Sequence, residues 1–235
     1  MDLAKQEKIS VLVVNYNQQK ELNALISLLK PFLRGLNYEV IVFDASNNFK
    51  AKNDVKYYSL SKNVGYGTAI NYLATKASGD HFLILNPDIE LNGFLKPDFQ
   101  KYLESDLKTV VISLGKAEKQ YSVPLIAHFK GKKRFSGFSF LIASHAFKQL
   151  GGFDNSYFMY FEDDDLNIKL KRFGLKTMYL DKPLITHNKT YKNKTFKTRK
   201  KYYYDSQLIF LRKNHKIFYL LFYIPNRILS FLASV

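Results

Sequence analysis

Short apolar runs alternate with amphipathic stretches along the first ninety residues of the chain. Apolar runs of four to eight residues are typical of strands buried on both faces of a parallel sheet. Apolar residues repeated at spacings of three and four positions predict helices between these strands. The predicted strands are ISVLVVN, YEVIVFD, VKYYSLS and HFLILNPDIE, and the predicted helices are QQKELNALISLLKPFL and GYGTAINYLATKASGD. This alternation predicts an α/β fold with a mostly parallel, Rossmann-like sheet flanked by helices.

Polar side chains stand where three of the predicted strands end. Asn15, Asp44 and Asp88 each follow an apolar run. Because ligands of such sheets bind beyond the carboxyl ends of the strands, these residues predict a binding site on one rim. The glycines of NVGYGTAIN fit neither a Walker A loop nor a dinucleotide fingerprint. They indicate a tight turn or a close backbone approach to a ligand, with Asn63 and Asn71 facing the rim.

The second half of the chain carries shorter segments and then changes composition. FSGFSFLIAS, LKTMYL and PLITH predict strands, SHAFKQLGGFD predicts a short helix, and DDDLNIKLKRFG predicts a helix that ends at Gly174. From about Lys189 onward the residues become basic and aromatic, and later apolar. We therefore predict one domain over residues 1–188, with halves of about 1–90 and 91–188, and a helical appendage over residues 189–235.

Charge and composition narrow the class of protein. The 235-residue chain has a formal net charge of +16 and no cysteine, so disulfides and thiolate chemistry are excluded. The basic surplus is concentrated in KGKKRF and NKTYKNKTFKTRKKYYY, which indicates an anionic partner such as nucleic acid, phosphate or an anionic membrane. The N-terminal residues lack a signal peptide's apolar region. The most apolar run, IFYLLFYIPNRILSFLASV, is interrupted at residues 225–227 and predicts no clear transmembrane helix.

The segment EDDDL, residues Glu162–Leu166, places four adjacent carboxylates in this basic chain. Acidic residues in the first turn of a helix interact favourably with its exposed amides and its dipole. One or two of them would suffice for a cap. The crowding therefore also indicates a general base, because neighbouring like charges raise some of the pKa values.

The segment LNPDIE has two interpretations. Asn-Pro-Asp is good turn chemistry at the end of a strand. Alternatively, Asp88 binds a divalent cation that also holds a diphosphate. A lone histidine such as His187 is more often structural than a metal ligand. Together with Asp88, however, it would complete a site with oxygen and nitrogen ligands that suits Mn²⁺ or Mg²⁺. Without cysteine, a structural zinc site is not expected.

Taken in order, six segments resemble family 2 glycosyltransferases with the GT-A fold: VLVVNYN, VIVFDAS, NVGYGTAIN, LNPDIEL, GGFDNSYFMYFEDDDL and LITH. The resemblance runs from about Ile9 to His187 and is strongest to the bacterial rhamnosyltransferase-like branch, which builds surface polysaccharides of the cell envelope such as lipopolysaccharide. It implies an inverting, metal-assisted hexosyltransferase with a nucleotide-sugar half before about residue 90 and an acceptor half after it. The implied donor is dTDP-L-rhamnose, with UDP-galactose or UDP-galactofuranose as alternatives. The implied acceptor is a surface-polysaccharide or lipid-linked glycan.

The resemblance also implies roles for the residues of the first half. The residues implied to bind the donor nucleotide are Asn15, Asp44, Asn63, Gly65, Asn86 and Asp88. Among these, Asp44 would contact the base. Asp88 and His187 would bind the metal, either Mn²⁺ or Mg²⁺. Asn86 replaces the first aspartate of the family's Asp-x-Asp, which removes one anionic ligand.

In the acidic cluster, the resemblance makes Asp163 the catalytic base. Glu162 and Asp165 match acceptor-side positions, and for Asp165 a structural contact is the alternative. Asp163 would take the proton of the acceptor hydroxyl as that hydroxyl attacks the anomeric carbon.

The basic tail after His187 has two compatible interpretations. It is a pair of helices packed on the domain, or a membrane-surface appendage whose basic residues meet anionic lipid. The second interpretation implies a cytoplasmic enzyme bound peripherally to the inner face of the bacterial plasma membrane.

Two rival classes remain at this point. A non-enzymatic nucleic-acid-binding module would explain basic patches interleaved with aromatic residues. The acidic strand ends and the lack of a nucleic-acid-binding motif argue against it, so nucleic acid is not an expected partner. A nucleotidyltransferase is disfavoured because no glycine-rich, Lys/Arg-bearing triphosphate loop lies near the first strand.

Overall fold

The structure is a computed structural model that describes residues 7–46, 55–116, 134–187 and 196–214, with scattered positions between 223 and 232. Within these ranges the strands are β1 (Lys8–Asn15), β2 (Asn37–Asp44), β3 (Val55–Tyr58), β4 (His81–Leu85), β5 (Ile89–Leu91), β6 (Thr109–Ser113), β7 (Ser139–Ala143), β8 (Lys176–Tyr179) and β9 (Ile185–His187). The helices are α1 (Gln19–Phe32), α2 (Tyr66–Lys76), α3 (Lys96–Leu103), α4 (Ser144–Gln149), α5 (Glu162–Arg172) and α6 (Phe196–Asn214).

Seven strands form one sheet in the order β3-β2-β1-β4-β7-β6-β8, and β5 pairs with β9 in a separate ribbon. The first four strands of the sheet are parallel, β7 runs antiparallel to both of its neighbours, and β8 is parallel to β6. The predicted α/β fold with a mostly parallel sheet is confirmed. Because β7 runs antiparallel, the segment that leads into it lies at the carboxyl ends of β1, β2 and β4.

The sheet is buried on both faces, as the continuous apolar runs predict. Side chains alternate along β1, so that Ile9, Val11 and Val13 join the cluster under α1 and α3. Leu12 points to the opposite face, where residues of α2, α4 and α5 complete a second cluster. Both clusters hold the strand ends in a rigid layer, which fixes the positions of the polar residues that follow them.

Strand β4 ends at Leu85, directly before Asn86, Pro87 and Asp88, where the sequence predicts the end of the fourth strand. The separate strand β5 that follows this turn is not among the predicted elements. Pro87 has no amide hydrogen to continue the ladder. The amide of Asn86 donates to the carbonyl of Phe138 over 3.0 Å, and Ile89 pairs with His187 instead. Helix α3 and strand β6 have no counterpart among the predicted elements.

Helix α6 packs against the segment that precedes α5. Phe210 and Leu211 of α6 form an apolar cluster with Tyr157, Phe161 and Ile168. This contact is the one expected of a helix that packs on the domain. The predicted boundary near residue 188 falls within residues 188–195, which lie outside the described residues, so the division of the chain stays a prediction. Where the chain is described, no helix combines the length and apolar composition needed to cross a bilayer.

Candidate active site at the carboxyl edge of the sheet

Asn15 and Asp44 end neighbouring parallel strands and stand opposite each other in the register of β1 and β2. The Asn15 amide donates to Asp44 Oδ1 over 2.8 Å. The hydroxyl of Ser46 donates to the same oxygen over 2.6 Å, and the hydroxyl of Tyr57 donates to Asp44 Oδ2 over 2.9 Å. Both Asn15 and Asp44 are buried. The structure therefore brings the two predicted rim residues together, with the Asp44 carboxylate turned toward protein partners.

The glycine-containing loop before α2 approaches protein backbone closely. The side chain of Asn63 accepts a hydrogen bond from the amide of Gly65 over 3.0 Å. Gly65 has a φ of 86°, and a Cβ there would lie 2.4 Å from the carbonyl oxygen of Phe158. That same oxygen accepts a bond from the amide of Tyr66. The sequence allowed either a tight turn or a close approach to a ligand. The described contacts show a tight turn that packs against the segment before α5.

The expectation that Asn71 faces the rim is wrong. Its amide nitrogen donates to the carbonyl of Phe153 over 2.7 Å, and its oxygen accepts from the amide of Phe153 over 2.9 Å. Asn71 therefore pins the loop after α4, because an asparagine side chain can satisfy a backbone donor and acceptor together.

Asp88 and His187 meet where β5 pairs with β9, and Asn86 lies two residues before Asp88 in the chain. The Asp88 carboxylate lies 3.5 Å from His187 Nε2, and 16% of the Asp88 and 40% of the His187 side chain are exposed. The ring of Phe138 meets the His187 ring edge-on at 5.1 Å. The side-chain oxygen of Asn86 is buried and has no hydrogen-bond partner among the described residues. A carboxylate and an imidazole are thus in contact, and the residue two positions before Asp88 carries an orphaned oxygen.

These three groups fit a divalent cation that is shared with a substrate diphosphate. Mg²⁺ is typically held by one or two carboxylates together with substrate phosphates, and imidazole suits Mn²⁺ as well. Across the described ranges, no group of three or more Asp, Glu, His or Cys side chains forms a complete metal cage. Asp88, His187 and the orphaned oxygen of Asn86 would therefore hold the ion only in part, and donor oxygens would complete its shell.

Helix α5 begins after two residues in the left-handed region, Tyr160 with φ 72° and Phe161 with φ 68°. Neither residue is a glycine, so this conformation costs free energy and must be held by surrounding contacts. Phe161 is buried against Phe210 of α6, with ring centroids 5.3 Å apart. No side chain caps the helix at Phe161. The packing of α6 therefore fixes the direction in which the acidic first turn of α5 points.

The four carboxylates of this turn lie in different environments. Burial, and then the charges of Asp163 and Asp164, raise the pKa of Glu162 to about 8. Asp164 is fully buried and lies 2.9 Å from Arg134 Nη1. The Asp165 carboxylate is nearly buried and is held by the amide of Asn214 and by the ammonium of Lys169. Burial, with the crowding that the sequence predicts as the second cause, therefore raises the pKa of one acid strongly, while cations or an amide contact the others.

Asp163 is the most exposed acid of the cluster, with 18% of its side chain accessible. Its Oδ2 accepts from the amide of Gly137 over 3.0 Å and from Arg134 Nη1 over 3.2 Å. Its Oδ1 accepts from the amide of Asp164. The result is an oriented carboxylate that retains a face toward solvent, which is what a general base requires.

The short segment that leads into β7, residues 134–138, joins the two halves of the site. The hydroxyl of Tyr66 donates to the carbonyl of Gly137, whose amide donates to Asp163. The next residue, Phe138, contacts both Asn86 and His187. Burial, followed by the charges of Glu162, Asp163 and Asp88, raises the pKa of Tyr66 well above its usual value. Segment 134–138 therefore contacts both the candidate base and residues of the candidate metal site.

Sequence reasoning missed Arg134, Gly137 and Tyr66. Arg134 belongs to the basic run KGKKRF, whose charge indicates an anionic partner, yet its side chain is 5% exposed and contacts Asp163 and Asp164. No local pattern separates it from the lysines beside it. The glycine at 137 is required because a Cβ there would lie 2.9 Å from the Cβ of Asp163.

Comparison with known proteins identifies the class to which this fold and site belong. The mannosyltransferase PcManGT from Pyrobaculum calidifontis, in complex with GDP-Man and Mn²⁺, superposes with a TM-score of 0.65 at 12% identity, over 89% of this chain and 64% of that one. This similarity confirms the predicted GT-A fold. The model of glycosyl transferase family 2 matches residues 10–168, and the chain belongs to this family.

Two curated relatives show how far the similarity extends. Rhamnosyltransferase WbbL of Escherichia coli K12 is 27% identical over 214 residues, which are 72% of this chain and 81% of that protein. Dolichol-phosphate mannosyltransferase of Pyrococcus furiosus is 30% identical over 92 residues, which are 35% of this chain and 26% of that protein. The match thus spans about a quarter of the Pyrococcus protein. Because the chain belongs to this family, the glycosyltransferase is the correct class among those predicted, rather than the nucleic-acid-binding module or the nucleotidyltransferase. The rhamnosyltransferase-like resemblance is confirmed as well.

Proposed function

We propose that the protein is an inverting, metal-assisted glycosyltransferase that moves L-rhamnose from dTDP-L-rhamnose to a hydroxyl of a surface-polysaccharide or lipid-linked glycan. The observation that carries the proposal is the oriented, partly exposed Asp163 carboxylate beside the segment that contacts Asn86 and His187. The similarity to WbbL over most of both chains supports the choice of sugar. The likeness to PcManGT, solved with GDP-Man and Mn²⁺, supports a nucleotide-sugar donor and a metal in this fold.

In the proposed reaction, Asp163 accepts the proton of the acceptor hydroxyl as its oxygen bonds to the anomeric carbon. The bond from that carbon to the nucleoside diphosphate breaks on the opposite face, so a single displacement inverts the anomeric centre. A cation bound by Asp88 and His187, with Asn86, would offset the charge of the leaving diphosphate. Arg134 and Gly137 orient the carboxylate throughout.

We assign the donor nucleotide to the rim of Asn15 and Asp44 and to the loop of Asn63 and Gly65. Asp44 is fully buried and accepts hydrogen bonds from three side chains. A direct contact with the base therefore requires Ser46 or Tyr57 to release its bond. A pyrimidine edge common to thymine and uracil would satisfy the freed carboxylate, which is why UDP-galactose or UDP-galactofuranose is the alternative donor.

The acceptor is assigned to the side of the site that carries Glu162 and Asp165. Glu162 Oε2 is buried and has no hydrogen-bond partner in the described part of the chain, which suits an oxygen that meets an acceptor hydroxyl. Asp165 is occupied by Lys169 and Asn214. Its contacts support the structural role more strongly than an acceptor contact.

We further propose peripheral binding to the inner face of the plasma membrane. At described positions near the C-terminus, Ile228, Leu229, Phe231 and Leu232 expose between 41% and 67% of their surface. Exposed apolar side chains in a C-terminal region that also carries many basic residues favour binding to an anionic membrane interface. Such a location suits an acceptor that is carried on a lipid diphosphate.

The first test is thermal stabilisation by dTDP, UDP, GDP and CDP, each with and without Mn²⁺ or Mg²⁺. A ligand at 100 times its Kd stabilises the native state by about 2.7 kcal/mol, which for a chain of this size raises the Tm by roughly 5–10 °C. We expect this increase with dTDP and metal. An increase confined to UDP would select the alternative donor, and no increase with any nucleotide in folded protein would contradict the proposal.

Replacing Asp88 with alanine should abolish the metal-dependent part of that stabilisation, because the ion loses its one carboxylate ligand here. Glu90→Gln is the matched control, since Glu90 lies two residues after Asp88, on β5, and is exposed. Equal metal dependence in Asp88→Ala and the wild type would remove Asp88 from the metal site.

Gly137→Ala should lower kcat by about tenfold to a hundredfold while the nucleotide-induced Tm increase is retained. The added Cβ would lie 2.9 Å from Asp163 Cβ and 3.1 Å from its Cγ, so the base must shift, and a displacement of about 1 Å can cost 10²-fold in rate. The measurement is release of dTDP from dTDP-L-rhamnose with short-chain lipid-diphosphate monosaccharides as acceptors. Gly151→Ala is the control, because its Cβ meets nothing within 4 Å although its φ is 74°. A normal kcat in Gly137→Ala would contradict the assigned position of the base.

A further inference from the structure

We propose that Arg134 is a positioning residue that holds the Asp163 carboxylate in one orientation through a direct ion pair, with the buried Asp164 as its fixed counter-ion. This inference rests on the proposed function, in which Asp163 is the base. It adds a residue that lies outside every segment that carries the family resemblance.

The contacts of the guanidinium define the arrangement. Arg134 Nη1 lies 2.9 Å from Asp164 Oδ1 and 3.2 Å from Asp163 Oδ2. The Arg134 side chain is 5% exposed and that of Asp164 is fully buried, whereas Asp163 keeps contact with solvent. One cation therefore bridges a buried acid and the acid that faces the substrate side.

The backbone around Arg134 is tied to the same helix turn. The amide of Phe135 donates to Asn167 Oδ1 over 3.4 Å, and Asn167 Nδ2 donates to the carbonyls of Phe135 and Asp163. Asn167 is 2% exposed. Because this side chain bonds to both segments, Arg134 and Asp163 are held at a fixed separation.

The charge balance explains why an arginine stands here. Glu162, Asp163 and Asp164 are consecutive acids. Lys169, the nearby ammonium group of α5, contacts Asp165 instead. A buried carboxylate without a cation is strongly disfavoured. A guanidinium stays charged when buried and can bond to two carboxylates at once, which an ammonium with a readily shifted pKa does less reliably.

A role in binding the donor diphosphate is a weaker explanation for this cation. The Arg134 side chain is buried, and its described contacts point toward the first turn of α5. It would have to break its contact with the buried Asp164 in order to reach a ligand. The geometry therefore indicates that Arg134 interacts with the base Asp163. Other groups would bind the diphosphate.

The sharpest test compares Asp164→Asn with the double variant Arg134→Gln/Asp164→Asn. The two proteins differ only in the guanidinium, and removing both members of the buried pair avoids an uncompensated Asp164. The titration of the Asp163 Cγ signal is followed by ¹³C NMR, with the signal assigned by its loss in Asp163→Asn. This readout requires neither donor nor acceptor.

We expect the Asp163 signal to titrate at higher pH in the double variant than in Asp164→Asn, because an opposite charge in contact with a carboxylate favours its ionised form. We expect kcat to fall by about tenfold or more with an unchanged donor KM, and the acidic limb of the rate profile to move to higher pH. Arg172→Gln, at an exposed position at the end of α5, serves as a control for the loss of one positive charge at the surface.

Coincident titrations in the two proteins would overturn the positioning role, whatever their activities. A purely structural role would lower the Tm and leave both the titration and the pH profile in place. If the wild type transfers no sugar but the titrations differ, the proposed function fails while the Arg134–Asp163 coupling stands. If the wild type is active and the titrations coincide, only the role of Arg134 fails.

Discussion

Replacing Asp163 with asparagine is expected to slow sugar transfer by roughly 10²–10⁴-fold, the range that general-base catalysis contributes. An amide cannot take the proton of the acceptor hydroxyl at neutral pH. Its oxygen can still accept the hydrogen bonds that Gly137 and Arg134 donate to Asp163 Oδ2. The shape of the site is therefore retained, and the nucleotide-induced rise in Tm should stay close to that of the wild type.

The measurement is turnover of the donor selected by the nucleotide screen, with the anomeric configuration of the product determined by NMR. Asp106→Asn is a suitable control, because Asp106 pairs with Lys176 on the surface and precedes β6 at the opposite edge of the sheet. Transfer by Asp163→Asn at the wild-type rate would remove Asp163 as the base. Retention of the anomeric configuration would instead exclude the single displacement.

The pairing of Asn15 with Asp44 at the rim of the sheet could be predicted from the sequence because it depends on local patterns. The apolar runs before Asn15 and Asp44 require strands that are buried on both faces, and parallel neighbours in a sheet end at the same edge. Once the strands are known, the juxtaposition of the two side chains follows from the register. The structure adds that Tyr57 and Ser46 already occupy the Asp44 carboxylate.

The environment of the acidic cluster could not be predicted because it depends on contacts that are distant in sequence. Arg134 reaches Asp163 and Asp164 across about thirty residues, and only the antiparallel insertion of β7 brings its segment to the carboxyl edge. The pattern EDDDL shows that carboxylates repel one another. It does not show which carboxylate pairs with a cation and which one is buried away from solvent. The misplaced Asn71 has the same origin, since its partner Phe153 lies 82 residues away.

Glu162→Gln is expected to remove a large part of the loss of stability that the wild type shows as the pH rises toward 8. Burial and the neighbouring acids raise the folded-state pKa of Glu162 from 4.5 to about 8. Between these two values the folded protein binds one more proton than the unfolded chain. The stabilisation is therefore complete below about pH 4.5 and is lost as the pH rises through 8, at about 1.4 kcal/mol per pH unit.

The informative window lies between pH 6.5 and 8.5, because other buried groups act outside it. Burial lowers the pKa of His81 to about 4, and the pKa of Glu39 is about 2, so both affect stability at lower pH. Urea denaturation at the two pH values should show a wild-type loss of about 2 kcal/mol and a smaller loss in Glu162→Gln. Glu90→Gln, an exposed carboxylate, should behave as the wild type. Equal pH dependence in Glu162→Gln and the wild type would mean that Glu162 is already ionised in the folded protein. The conclusion that a protonated Glu162 stands beside Asp163 would then be wrong.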